Sequence, residues 1–250
     1  MADKGNFEID LDDPADERVR RKGRVKGTTA RIGVGRAGPR PRTGEMLLFQ
    51  ADHAVTQDAL MREVDADLLT ELELLAVDSR AGSRQEYLKR PDLGRLLSAE
   101  GEEQLKGYLT HQPDVQIFVG DGLSAAAVEH NLPILLPALV LELRAAGLTM
   151  GPPFFVRNAR VGLLNGVNQI VDAQVCAVLI GERPGLARAE SMSIYLGYRP
   201  EPMATDAQRN VISNMYAGGL KPREAAVQAV KLMQRMIMQK VSGVRMAGDE

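Results

Sequence analysis

Six apolar residues stand unbroken at Val175–Ile180, and the run stops at once in Gly181-Glu182-Arg183-Pro184-Gly185. With no polar alternation, such a run predicts a strand buried on both faces, as in a parallel sheet. A second strand-like run, Ser191–Tyr198, follows a short polar loop. Shorter runs predict strands at Val115–Val119 and Phe154–Val156. Between these the apolar period becomes helical. A helix opens after Ser124 as its N-cap, and a second helical stretch over Leu132–Gly147 closes on glycine. Further helices are expected over 161–172, 205–216 and 222–241. Strands alternating with helices predict an α/β fold, a Rossmann-like, mostly parallel sheet flanked by helices. Right-handed crossovers then place the loops 120–124, 156–161 and 181–185 on one sheet edge, where open α/β sheets bind ligands.

Upstream of Pro113 the pattern is helical. A helix is expected over 44–64, with Leu47, Ala51, Ala54, Val55 and Ala59 at helical spacing and Asp52, His53 and Asp58 on the polar side. Others are expected over 65–77, 83–98 and 101–110, with Pro91 and Gly94 interrupting the middle one. The chain therefore divides into a charged arm at 1–29, expected to be disordered, a helical region at 30–112 and an α/β domain at 113–250.

Composition narrows the picture. No apolar stretch reaches the ~18 to 20 residues needed to span a bilayer, and the longest, Leu132–Leu143, carries Glu142. A secretory signal pattern is not seen at the N-terminus. The single cysteine, Cys176, lies inside the apolar strand. It has no internal disulfide partner and reads as a small core residue in a reducing, cytosolic setting. The net charge of −2 hides an asymmetry: residues 1–17 hold seven acids and one lysine, and residues 18–42 hold ten Lys or Arg and no acid. The basic stretch contains no Phe, Tyr or Trp, so it offers no base-stacking platform for nucleic acid. A solvated tail or protein docking suits it better.

Candidate chemistry is sparse. Gly33, Gly35 and Gly38 have GxGxxG spacing, but a dinucleotide fingerprint needs a strand before it and a helix within it. Here Ala30-Arg31-Ile32 precedes, and Pro39 and Pro41 follow at once. A stand-alone dinucleotide-binding oxidoreductase is kept as the alternative reading. His53, His111, His130 and Cys176 show no metal-ligand spacing. Neither a GxSxG elbow nor a GxxxxGK[ST] loop occurs. Asp121 and Glu182 could meet as paired carboxylates at the sheet edge and do acid/base work. Met233, Met236 and Met238 at helical spacing are expected to fill core. A ligand-edge layout with little catalytic chemistry suggests a binding subunit more than a self-sufficient enzyme.

Several motifs in fixed order then resemble one family. They are ARIGVGRAGPRP at 30–41, LLFQADHAVTQDA at 47–59, YLKRPDLGRLL at 87–97, DVQIFVGDGLSAAAV at 114–128, FFVRNARV at 154–161, LIGERPGL at 179–186, ESMSIYLGYRP at 190–200, RNVISN at 209–214 and SGV at 242–244. Through residues 30–244 the chain resembles the small subunit of ethanolamine ammonia-lyase. The resemblance implies a hetero-oligomer with a barrel-shaped large subunit that binds ethanolamine and carries most catalytic groups. It implies adenosylcobalamin as cofactor, acetaldehyde and ammonia as products, and homolysis of the cobalt–carbon bond as the start of the reaction. This chain would help enclose the cobalamin, with no catalytic residue of its own. The family's cobalamin contacts carry over onto Val161, Glu182 and Val211, with Arg160 and Arg183 as further neighbours. The family often has a small residue such as cysteine where Val211 stands, so a packing contact is implied there. The chain has no DxHxxG pattern, since Asp52 and His53 are adjacent. That fits the family habit of keeping the nucleotide base on the cobalt. A cytoplasmic location, within a bacterial microcompartment, is implied as well.

Overall fold

The structure, a computed structural model, describes residues 34–185 and 189–248. The charged arm expected at 1–29, and Gly33 with it, lies outside the described residues. The described chain forms two compact units: residues 34–58 with Gly185, and residues 59–184 with 189–248.

In the first unit, β1 (Arg36–Ala37) and β2 (Arg40–Pro41) pair antiparallel around Gly38. Gly38 has φ 62°, a left-handed conformation that glycine adopts without steric cost. Helix α1 (Thr43–Met61) follows, with its last residues in the second unit. Gly35 and Gly38 therefore belong to a small hairpin. Among the described residues this segment is an antiparallel hairpin, not the strand-to-helix turn of a dinucleotide loop, so it lends the oxidoreductase alternative no support.

The second unit is built on a six-stranded sheet in the order β3-β5-β4-β6-β7-β8. These strands are β3 (Leu75–Asp78), β4 (Val115–Gly120), β5 (Phe154–Arg157), β6 (Val175–Gly181), β7 (Met192–Tyr198) and β8 (Asn210–Met215). The first four in spatial order are parallel, and β7 and β8 close the sheet antiparallel. The expected α/β, mostly parallel architecture is the observed one. Its helices are α2 (Ala66–Glu71), α3 (Arg84–Lys89), α4 (Ala99–Tyr108), α5 (Ala125–Ala145), α6 (Leu163–Val171) and α7 (Pro222–Gln239). Side chains of Asp65, Ser83, Ser98 and Ser124 cap α2, α3, α4 and α5, each accepting a backbone N–H of the first turn.

Helices α5 and α7 cover one face, where Leu132, Leu139, Ala229 and Met233 meet Ile117, Val119, Ala177 and Leu196. Helices α4 and α6 cover the other, where Leu105, Leu164 and Val167 meet Phe118, Val178 and Ile180. Every residue of β4 and β6 is buried, as two-sided coverage requires. The Phe118 and Phe154 rings stack with centroids 5.4 Å apart across adjacent strands. Cys176 is fully buried, and burial pushes its thiol well above the usual range. Met233 and Met236 fill core as expected, whereas Met238 is exposed.

Helix α5 has the length and hydropathy of a membrane span, but half of its most apolar window is buried inside the fold. It is a single helix through Pro133 and Pro137, not two stretches. Both prolines lie on exposed positions, where water can serve the carbonyls they leave unbonded. Gly147, with φ 70°, ends it, and the Leu148 N–H returns to the Leu143 carbonyl.

Two expected helices are wrong. The stretch 65–77 is helical only over Ala66–Glu71. Glu73 turns left-handed at φ 54°, and Leu75–Asp78 becomes the edge strand beside β5. The stretch 205–216 is a single 3₁₀ turn, Asp206–Gln208, followed by β8. In both, long-range pairing overrides a locally helical spacing.

Candidate functional site

Strands β4, β5 and β6 are parallel, so the loops after them emerge at one sheet edge, as the sequence predicts. Hydrogen bonds lace these loops together. Asp121, just past β4, accepts the Asn158 N–H at 2.9 Å on Oδ2 and the Ala159 N–H at 3.0 Å on Oδ1. The Leu123 N–H donates to the Gly181 carbonyl at 3.1 Å. Gly122 has φ 58°, and a Cβ there would lie 2.2 Å from the Gly181 oxygen, so only glycine allows this approach.

The chain leaves β4 and β5 toward opposite faces of the sheet, into α5 and α6. Open α/β folds place a ligand crevice between such strands. Here protein fills that position. Arg84 Nη1 reaches Asp121 Oδ2 at 3.1 Å and the Gly122 carbonyl at 2.9 Å. The Tyr87 ring is fully buried, with the Arg84 guanidinium 4.9 Å and the Arg160 guanidinium 4.1 Å from its centroid. Its hydroxyl donates to the Ala159 carbonyl at 2.9 Å. Burial pushes the Tyr87 hydroxyl well above its usual range, so it serves as a fixed donor. Burial also pushes the Asp121 carboxyl up, against the pull of Arg84 and the amides of Asn158 and Ala159. Asp121 is thus committed to holding two loops, and acid/base pairing with Glu182 is not its role. Arg160 is turned onto Tyr87, and Arg183 is exposed.

Glu182, one residue past β6, binds a different set of partners. Oε2 accepts the Ser191 hydroxyl at 2.7 Å. Oε1 accepts the Ser193 hydroxyl at 2.5 Å and the Asn214 N–H at 2.9 Å. The carboxylate therefore ties the ends of β6, β7 and β8 together. A carboxylate offers about four acceptor positions, and three are used. Its orientation is fixed, and among the described residues one acceptor position on Oε2 has no donor.

Strand alternation decides which side these residues occupy. Met192, Ile194 and Leu196 of β7 pack under α7 and α5. Ser193 and Tyr195 therefore point to the α6 side, and Tyr195 packs against the cluster containing Val178 and Ile180. Val211 pairs with Tyr195 across β7 and β8, so it shares that side, and it is 48% exposed. Val161, just before α6, is half-buried against the same cluster. Val161, Glu182 and Val211 thus lie on one side of the sheet. Val211 does so from an edge strand, not from the helix expected over 205–216. Among the described residues, α4 and α6 are the helices on this side, and Val211 and Ser213 of β8 are exposed.

A broad depression of about 1050 Å³ opens elsewhere, at the ends of β3 and β5, between Asp78, Arg80, Glu86, Arg90 and Arg157. Its mixed charges favour no ligand class, and Val161, Glu182 and Val211 do not line it. The sequence reading missed Ser191, Ser193 and Tyr195. The two-residue period of the strand already expected at 191–198 could have found Ser193 and Tyr195, since it places both on the face away from Met192 and Ile194.

The family model described as "Ethanolamine ammonia-lyase light chain (EutC)" matches residues 21–247. That match spans both compact units and includes the edge strands β3 and β8. This chain belongs to the ethanolamine ammonia-lyase light chain family.

Proposed function

We propose that this chain is the light subunit of an adenosylcobalamin-dependent ethanolamine ammonia-lyase, which works with a large subunit to convert ethanolamine to acetaldehyde and ammonia. Its part is to form one side of the cofactor enclosure. The observation that carries this reading is the shared side of Val161, Glu182 and Val211, next to strands β7 and β8 that α6 leaves partly uncovered.

The residues suit a corrinoid. Its rim carries amides that donate and accept hydrogen bonds, and Glu182 offers an acceptor held by three donors. An acceptor already fixed loses little further freedom on binding, so more of its interaction energy appears as affinity. Val161 and Val211 offer branched apolar surface to a flat ligand. When bound, the cofactor supplies radical initiation through its cobalt–carbon bond. This chain's residues bind one side of it, orient it and keep water from it. A half-exposed surface, not an enclosed cavity, is what a chain sharing a site with a partner presents.

Reconstitution tests the proposal. The large subunit is mixed with this chain, adenosylcobalamin and ethanolamine, and acetaldehyde is measured. Product formation that depends on both chains is expected. Equal rates with and without this chain would refute it.

A further inference from the structure

Tyr195 is a side chain on this face with no role so far. It stands in the centre of β7, opposite Val178 of β6 and Val211 of β8. Its ring is half-buried against the apolar cluster beneath α6. Among the described residues its hydroxyl has no hydrogen-bond partner, whereas the buried Tyr87 hydroxyl has one. Tyrosine with an anchored ring and an unspent hydroxyl is the usual form of a contact residue at a surface. Burial, and then the nearby carboxylates of Glu182 and Asp206, push the hydroxyl above its ordinary range, so it is a donor at neutral pH.

The surroundings define what it would meet. Glu182 keeps an acceptor position on Oε2, and Tyr195 offers a donor on the same side of the sheet. A donor and an acceptor on one side of the sheet suit a primary amide, which needs one partner for its N–H and one for its carbonyl. We infer that Tyr195 is a further contact residue of this face, donating its hydroxyl to a corrin-rim amide carbonyl while its ring extends the apolar floor of Val211. The inference rests on the proposed corrinoid-binding role of the face and adds a residue and a recognition rule to it.

The test compares wild type, Tyr195→Phe and Glu182→Ala, each assembled with the large subunit. Hydroxocobalamin binding is followed by its absorption spectrum, and assembly and thermal melting are measured alongside. Tyr195→Phe keeps the ring and removes only the hydroxyl. A neutral hydrogen bond of ordinary strength predicts roughly 3- to 10-fold weaker cobalamin binding, with melting and assembly unchanged. Unchanged binding in Tyr195→Phe together with weakened binding in Glu182→Ala would overturn the role of Tyr195 alone. Unchanged binding in both would overturn the reading of the whole face. Loss of assembly in Tyr195→Phe would also overturn the inference, since the hydroxyl would then serve the subunit contact.

Discussion

Arg84 Nη1 lies 3.1 Å from Asp121 Oδ2, and the two side chains are only 4% and 5% exposed. This pair stands where the fold would otherwise open a crevice between β4 and β5. A buried ion pair contributes little net stability, but removing one member strands the other charge at a cost of about 3 to 5 kcal/mol. Asp121→Ala is therefore expected to destabilise the protein by about that amount in denaturant unfolding. It also releases the amides of Asn158 and Ala159. The double variant Arg84→Met/Asp121→Leu should lose less than the two single changes summed. Full additivity would contradict a direct pairing.

The Gly122 turn gives a second prediction. Alanine there would need φ 58° and would bring Cβ within 2.2 Å of the Gly181 oxygen and 2.6 Å of Ile180 Cγ1. Backbone strain and overpacking together predict a loss of about 2 to 4 kcal/mol for Gly122→Ala, read from the unfolding midpoint. Gly166→Ala, where a Cβ meets nothing within 4 Å, is the control and should be close to neutral.

Asp114 gives the chain a pH-dependent element. Its carboxylate accepts the Thr149 N–H at 2.8 Å, the Thr149 hydroxyl at 2.7 Å and the Gln174 amide at 2.6 Å. The Thr149 backbone bond comes first among the causes that hold its carboxyl below the usual carboxylate range. A carboxyl depressed in the folded state adds stability above its unfolded pKa near ~3.9 and loses it as pH falls through the folded value. The site is largely open to solvent, so about 1 kcal/mol is the expected scale. Asp114→Asn should thus be less stable than wild type at pH 7, with the gap closing below about pH 4. A gap that stays constant with pH would contradict the assignment.

Glu182→Ala removes an acceptor held by Ser191, Ser193 and Asn214. Within the assembled enzyme it is expected to weaken cobalamin binding by about 1 to 3 kcal/mol, the range for a hydrogen bond to a charged group. Equilibrium dialysis of the complex measures this, and unchanged affinity would remove Glu182 from the site.

Much of the fold is legible in the residues. The unbroken run at Val175–Ile180 announces a strand covered on both sides, and glycines mark the turns at the sheet edge. The edge strands are hidden. Leu75–Asp78 is four residues long and sits behind Leu68, Leu69, Leu72 and Leu74, whose spacing reads as helix. Asn210–Met215 is an edge strand paired with β7 alone and has a half-polar face, so its two-residue period is faint. The site was partly legible. Glu182 stands out at the end of a buried strand, but its donors Ser193 and Asn214 come from strands whose register no local pattern sets. Arg84 is 37 residues from Asp121, and only the folded sheet brings them together.

The most direct measurement titrates hydroxocobalamin into the large subunit alone and into the large subunit with this chain. The account predicts tight binding only when both chains are present. Equal affinity in the two titrations would contradict a cofactor enclosure shared by the light chain.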